Sequence, residues 1–144
     1  MRQVRAEVLL IEDDATDAAL IVRALKKTEL GGSVYVAKDG EEALDYVFGT
    51  GAFAASPGHP DLALVLLDLR LPGVHGIEVL RRLKGDARTR AIPVVVITGS
   101  QISRDVEQCF ALGAHSYIPK PFDLAMFIEE IKELGLHWLE THPI

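Results

Sequence analysis

Leu62-Ala-Leu-Val-Leu-Leu67-Asp68-Leu69-Arg70-Leu71-Pro72-Gly73 is the stretch that decides the fold. Its first six residues are apolar and of strand length, so they present side chains to both faces of a sheet. Such a strand sits centrally in a parallel sheet, with helices covering both sides. The run ends on a carboxylate, and the residues that follow do not begin a helix. Val8–Ile11 and Val94–Thr98 share the two-sided character, and Val34–Ala37 and Ser116–Ile118 are further strand candidates.

Between these segments apolar residues recur every three to four positions, which predicts helices over 14–27, 40–48, 76–84, 103–112 and 123–134. Gly31-Gly32, Gly49, Gly85, Gly113 and Gly135 read as helix stops, since glycine tolerates the left-handed cap. A strand–helix alternation repeated five times implies a parallel sheet with right-handed crossovers. Residues 49–60, rich in Gly, Ala, Ser and Pro, read as a flexible loop. A single domain over 1–135 is expected, followed by a tail over 136–144 and no output domain.

Composition limits the function classes. The chain has 144 residues, with 15 Lys and Arg against 21 Asp and Glu, a net charge of −6. That sign argues against nucleic acid as a direct partner, because phosphate binding needs clustered cations. Cys109 is the only cysteine and the chain has no Asn, so neither an internal disulfide nor an N-glycosylation sequon can form. No signal peptide and no membrane-length apolar run is evident. A cytoplasmic protein is expected.

Ligands of open α/β sheets bind beyond the C-terminal ends of the strands. Glu12, Asp13 and Asp14 follow the first strand, Asp68 the third, and Pro119-Lys120-Pro121 the fifth, while Thr98 closes the fourth. If these strands are neighbours, several carboxylates, one hydroxyl and one ammonium converge. Crowded carboxylates repel unless a cation joins them, and oxygen ligands suit Mg²⁺. Lys120 and Thr98 then fit a phosphoryl group, with Asp68 as a nucleophile able to form an aspartyl phosphate. Asp14, ahead of Ala15-Thr16-Asp17, reads as a helix N-cap.

Four segments carry a family resemblance: Leu9-Leu10-Ile11-Glu12-Asp13-Asp14, Leu66–Gly76, Val95–Ser100 and Gly113–Phe122. In this order, over about residues 6–135, the chain resembles the response-regulator receiver domain. The resemblance implies a flavodoxin-like three-layer α/β/α fold with a five-stranded parallel sheet of order 2-1-3-4-5. It implies that Asp68 accepts a phosphoryl group from a sensor histidine kinase. It further implies Glu12, Asp13, Asp68 and the Arg70 carbonyl as Mg²⁺ ligands. By the same resemblance Thr98 and Lys120 hold phosphoryl oxygens, Thr98 and Tyr117 form the switch, and the peptide bond before Pro121 is cis. Glu12 stands where many members have Asp. Arg70 and Ser100 occupy positions that vary in the family and influence aspartyl-phosphate hydrolysis.

The 49–60 loop, Arg81-Arg82-Leu83-Lys84, 86–93 and the 134–139 segment resemble, more narrowly, single-domain regulators paired with phytochrome-type histidine kinases, which tend to be dimers. Leu134, Leu136, Trp138 and Leu139 extend apolar character past the fifth helix. They either fold back on the sheet or form a dimer interface, and the dimer is the favoured expectation.

Two other function classes compete. An aspartyl-nucleophile phosphatase needs an acid/base Asp two residues after the nucleophile, and Arg70 stands there. A degenerate interaction module is opposed by the complete set Glu12, Asp13, Asp68, Thr98 and Lys120. Gly49-Thr-Gly51-Ala-Phe-Ala54 follows a helix instead of a strand, the reverse of a dinucleotide-binding turn. The five histidines show no paired ligand spacing for zinc, and His75 reads as a solvated loop residue.

Overall fold

A computed structural model of the chain describes residues 6–28, 30, 32–55, 58–59, 62–99, 103–120 and 123–141. Five parallel strands form one sheet in the order β2-β1-β3-β4-β5. They are β1 (Glu7–Ile11), β2 (Ser33–Ala37), β3 (Leu62–Leu67), β4 (Val94–Thr98) and β5 (Ser116–Pro119). The helices are α1 (Ala15–Leu25), α2 (Gly40–Phe48), α3 (Gly76–Gly85), α4 (Ser103–Leu112) and α5 (Leu124–Thr141). This is the flavodoxin-like three-layer arrangement expected from the sequence.

The period-two alternation of the strands sorts the core into two halves. Leu9, Ile11, Val65, Leu67, Val94 and Val96 face α2, α3 and α4, where Leu44, Leu80, Leu83 and Cys109 meet them. Val8, Leu10, Leu64, Leu66, Val95 and Ile97 face α1 and α5, against Ile21, Leu25, Phe127 and Ile131. Every residue of β3 and β4 is buried. Both strands therefore lie between two helical layers, as their apolar runs require.

Asp14 caps α1, its side chain accepting from Asp17 N at 2.9 Å. Gly49 and Gly113 take the left-handed conformation after α2 and α4, with φ of 67° and 107°. The other expected stops differ. Helix α1 ends at Leu25, ahead of the glycine pair, where the Thr28 hydroxyl donates to the Leu25 carbonyl at 2.7 Å and replaces a glycine cap. Gly31 itself lies outside the described residues. Gly85 is the last helical residue of α3, and Asp86 after it is extended.

Gly135 does not stop α5, which continues to Thr141. A mid-helix glycine costs about 1 kcal/mol relative to Ala, and burial of Leu134 and packing of Trp138 against the α1/α5 core offset it. Leu136 faces out, 59% exposed, and the side chain of Leu139 is outside the described set. The 49–60 segment is no simple loop either. Gly51–Phe53 form a 3₁₀ turn, and the Phe53 ring meets Tyr35 and Tyr46 edge-on at 5.7 and 5.4 Å.

Candidate functional site

Strand order brings β1, β3, β4 and β5 side by side, so their C-terminal ends share one rim. Asp68 N donates to Ile11 O at 3.0 Å, which fixes the end of β3 against the end of β1. Lys120 N donates to Thr98 O at 2.9 Å, fixing the end of β5 against β4 in the same way. Backbone pairing thus sets where the four chemical groups stand.

Asp68 is 6% exposed and Glu12 is 2% exposed. Asp13 is exposed, yet carboxylate oxygens of Glu12, Asp13 and Asp68 lie within 4.8 Å of one another. Both oxygens of Asp68 are held. Arg70 N donates to Oδ1 at 2.9 Å, and Lys120 Nζ donates to Oδ2 at 3.0 Å. The same Nζ reaches Glu12 Oε1 at 2.6 Å and Asp17 Oδ2 at 2.8 Å. The ammonium has three N–H groups, and three carboxylates take them.

The electrostatics follow from this crowding. Burial pushes the Glu12 carboxyl up from 4.5 to about 7; hydrogen bonding from Lys120 works against that rise and the charge of Asp68 adds to it. Burial works to lower the Lys120 pKa, but hydrogen bonds to Asp17, Glu12 and Asp68 outweigh it and keep the ammonium above the usual lysine range. The trio of hard oxygen donors is the chemistry a divalent cation of the Mg²⁺ type requires.

Thr98 is fully buried. Val96 pairs with Tyr117 in register, and Thr98 lies two residues beyond Val96, so Thr98 and Tyr117 share the α4 face of the sheet. Pro121 and Ser100 lie outside the described residues. His75 is not simply solvated, since its Nδ1 accepts from Ile77 N at 3.1 Å and caps α3.

Two residues of the site were not singled out from sequence. Asp17 reads as part of a capping run, but from the first turn of α1 its carboxylate reaches the rim, where it accepts from Lys120 Nζ at 2.8 Å. Gly76 opens α3 directly against the loop that follows β3: a Cβ there would lie 2.5 Å from Leu69 Cα and 2.7 Å from Asp68 O. Only a residue without a side chain lets α3 begin so close to Asp68.

Residues 8–132 match the response regulator receiver domain family. A probable methanogenesis regulatory protein of Methanothrix harundinacea, FilR2, is 42% identical over 91% of this chain and 84% of its own length. Response regulator Rcp1 of Synechocystis is 33% identical over 93% and 89%. Among solved structures, the phosphorylated cyanobacterial phytochrome response regulator RcpA superposes with a TM-score of 0.78 at 33% identity, covering 95% of this chain and 96% of that one. The Mn²⁺-bound form of Rcp1 gives 0.78 at 31% identity, with coverage of 95% and 96%. The bacteriophytochrome response regulator AtBRR gives 0.75 at 43%, with coverage of 90% and 92%. The chain belongs to the response regulator receiver family. It is a two-component signalling protein phosphorylated on aspartate, with a histidine kinase as partner, and the phosphatase alternative has no support.

Proposed function

We propose that Asp68 is the phosphoacceptor and that Mg²⁺ bound by Glu12, Asp13, Asp68 and the Arg70 carbonyl assists the transfer. The observation that carries this reading is the Asp68 carboxylate, buried yet reached by both Lys120 Nζ and the Arg70 N–H. A carboxylate oxygen of Asp68 attacks the phosphorus of the kinase phosphohistidine. The O–P bond forms as the P–N bond breaks, and its electron pair leaves on the imidazole nitrogen, which then takes a proton. Lys120 and the Thr98 hydroxyl take phosphoryl oxygens, and a cation held by Glu12, Asp13, Asp68 and the Arg70 carbonyl would offset the charge that gathers between nucleophile and leaving group. The same pocket supports self-phosphorylation from small phosphodonors and self-dephosphorylation by water.

The likeness to Rcp1, RcpA and AtBRR supports a phytochrome-type kinase as the cognate partner and, with it, a cytoplasmic location. In this reading residues 1–135 are the receiver unit, and residues 136–141 carry α5 beyond it. Thr98, drawn toward the phosphoryl group, vacates space that Tyr117 fills, and the α4, β5 and α5 surface changes as a shift between two packings. A second copy of the chain is the proposed partner for the outer face of α5, where Leu136 is exposed; Leu134 and Trp138, which the dimer expectation also named, pack against this chain's own core instead. Sedimentation of the full chain tests that pairing; a monomer at micromolar concentration, with and without a phosphoryl mimic, would remove it.

Mass spectrometry after incubation with phosphoramidate and Mg²⁺ tests the acceptor. One phosphoryl adduct is expected on wild type, with none on Asp68→Asn and none after chelation. Persistence of the adduct in either control defeats the assignment. Thr98→Ala is expected to be labelled without the resonance changes around Tyr117 that wild type shows.

A further inference from the structure

We infer that Asp17 is the anchor of Lys120, a positioning residue that keeps the ammonium at the acceptor when the other carboxylates are engaged elsewhere. The inference rests on the reading of Asp68 as acceptor. Lys120 Nζ has three carboxylate partners, Glu12 at 2.6 Å, Asp17 at 2.8 Å and Asp68 at 3.0 Å. Glu12 and Asp68 belong to the converging trio fit for a divalent cation, and Asp17 stands outside that trio. Asp68 is moreover the group that becomes esterified. Asp17 is therefore the one carboxylate of the three with no competing role, and the one Lys120 retains throughout.

Local structure suits the role. Asp17 lies in the first turn of α1, and its backbone N–H is tied to the Asp14 side chain at 2.9 Å. Its side chain is 32% exposed against 7% for Asp68, so it can hold the ammonium without adding a fully buried charge. Lys120 hangs from the end of β5 by a backbone bond to Thr98 and has a flexible four-carbon stem. A partner on a rigid helix limits where that stem can swing, which is the contribution positioning makes to phosphoryl transfer.

Asp17→Ala, Asp17→Asn and wild type separate position from charge. The Asn amide oxygen can still accept from Nζ, while Ala cannot. With phosphoramidate at saturating Mg²⁺, Asp17→Ala is expected to label Asp68 about tenfold more slowly, with its half-saturating Mg²⁺ concentration within about twofold of wild type. Asp17→Asn is expected within about twofold of wild type in rate. The Lys120 ammonium ¹⁵N resonance gives a readout independent of labelling, protected from exchange in wild type and Asn and lost in Ala. Labelling of Asp17→Ala at the wild-type rate, equal slowing of Ala and Asn, or an unchanged ammonium resonance in Ala would each overturn the anchor. If wild type itself is not labelled while the resonance is lost in Ala, the anchor stands and the acceptor assignment fails.

Discussion

Strand β1 begins on one glutamate and is followed by another, and the two live in opposite surroundings. At the N-terminal end Glu7 Oε1 accepts from the Tyr46 hydroxyl at 2.8 Å and lies 3.3 Å from His59 Nδ1. Tyr46 stacks on Tyr35 at 4.2 Å and on His59 at 3.9 Å. A neutral hydroxyl and an imidazole serve one carboxylate inside an aromatic wall. At the C-terminal end Glu12 shares one ammonium with Asp17 and Asp68 and faces the charge of Asp68. The first end is built for stability. The second holds repulsion that a cation or a phosphoryl chemistry can use, which is the local conflict expected at a functional site.

Truncation at the aromatic end is the strongest way to break this contrast. Tyr46 is 8% exposed and touches three rings, so Tyr46→Ala is expected to destabilise by about 3 kcal/mol. The labelling rate of Asp68 should remain within twofold, because the lesion lies at the far end of β1. Denaturant unfolding and phosphoramidate labelling measure both. A fall in labelling matching the fall in stability would mean the two ends are not independent.

At the acidic end the expected sign reverses. The folded-state pKa of Glu12, about 7, lies above its ordinary value of 4.5, so the folded protein binds the proton more tightly than the unfolded chain. Stability of the metal-free protein is therefore lost as pH rises from about 4.5 through 7, with a slope of at most about 1.4 kcal/mol per pH unit for this one proton. Glu12→Gln removes that loss. It is expected to match wild type near pH 4.5 and to exceed it by up to about 3 kcal/mol above pH 7. Unfolding of both proteins across that range with chelator present gives the difference curve. A variant less stable than wild type at pH 8 would place Glu12 among the stabilising groups, beside Glu7.

The sequence made the acidic end easier to read than the aromatic one. Glu12, Asp13, Asp68, Thr98 and Lys120 each stand immediately after or at the close of an apolar run, and strand ends of a parallel sheet must meet. Asp17 escaped because its role depends on the rotation of α1, which its capping run Asp14-Ala15-Thr16 masks. Gly76 escaped because a close approach between α3 and Leu69 is a tertiary fact. The aromatic wall gave no local signal: Tyr35, Tyr46, Phe53 and His59 come from β2, α2, a 3₁₀ turn and the approach to β3. Gly135 misled because a glycine inside a helix and one just past it look the same until the helix is seen packing Trp138 beyond it.

The finest test removes a single oxygen from the quiet end. Tyr46→Phe keeps the ring stacks and deletes the hydroxyl that donates to Glu7. Burial first, then the hydrogen bond to Glu7, hold the Tyr46 hydroxyl protonated well above the usual tyrosine range, so it is a donor at every working pH. Glu7 keeps His59 and its side chain is 26% exposed, so water can take over part of the lost bond. The expected loss is about 1 kcal/mol, the ordinary net worth of one hydrogen bond. It should be the same with chelator and with millimolar Mg²⁺, since no charge at this end waits for a cation. Paired unfolding curves in the two buffers check it. A loss that changes with Mg²⁺ would show that Glu7 and Glu12 communicate along β1.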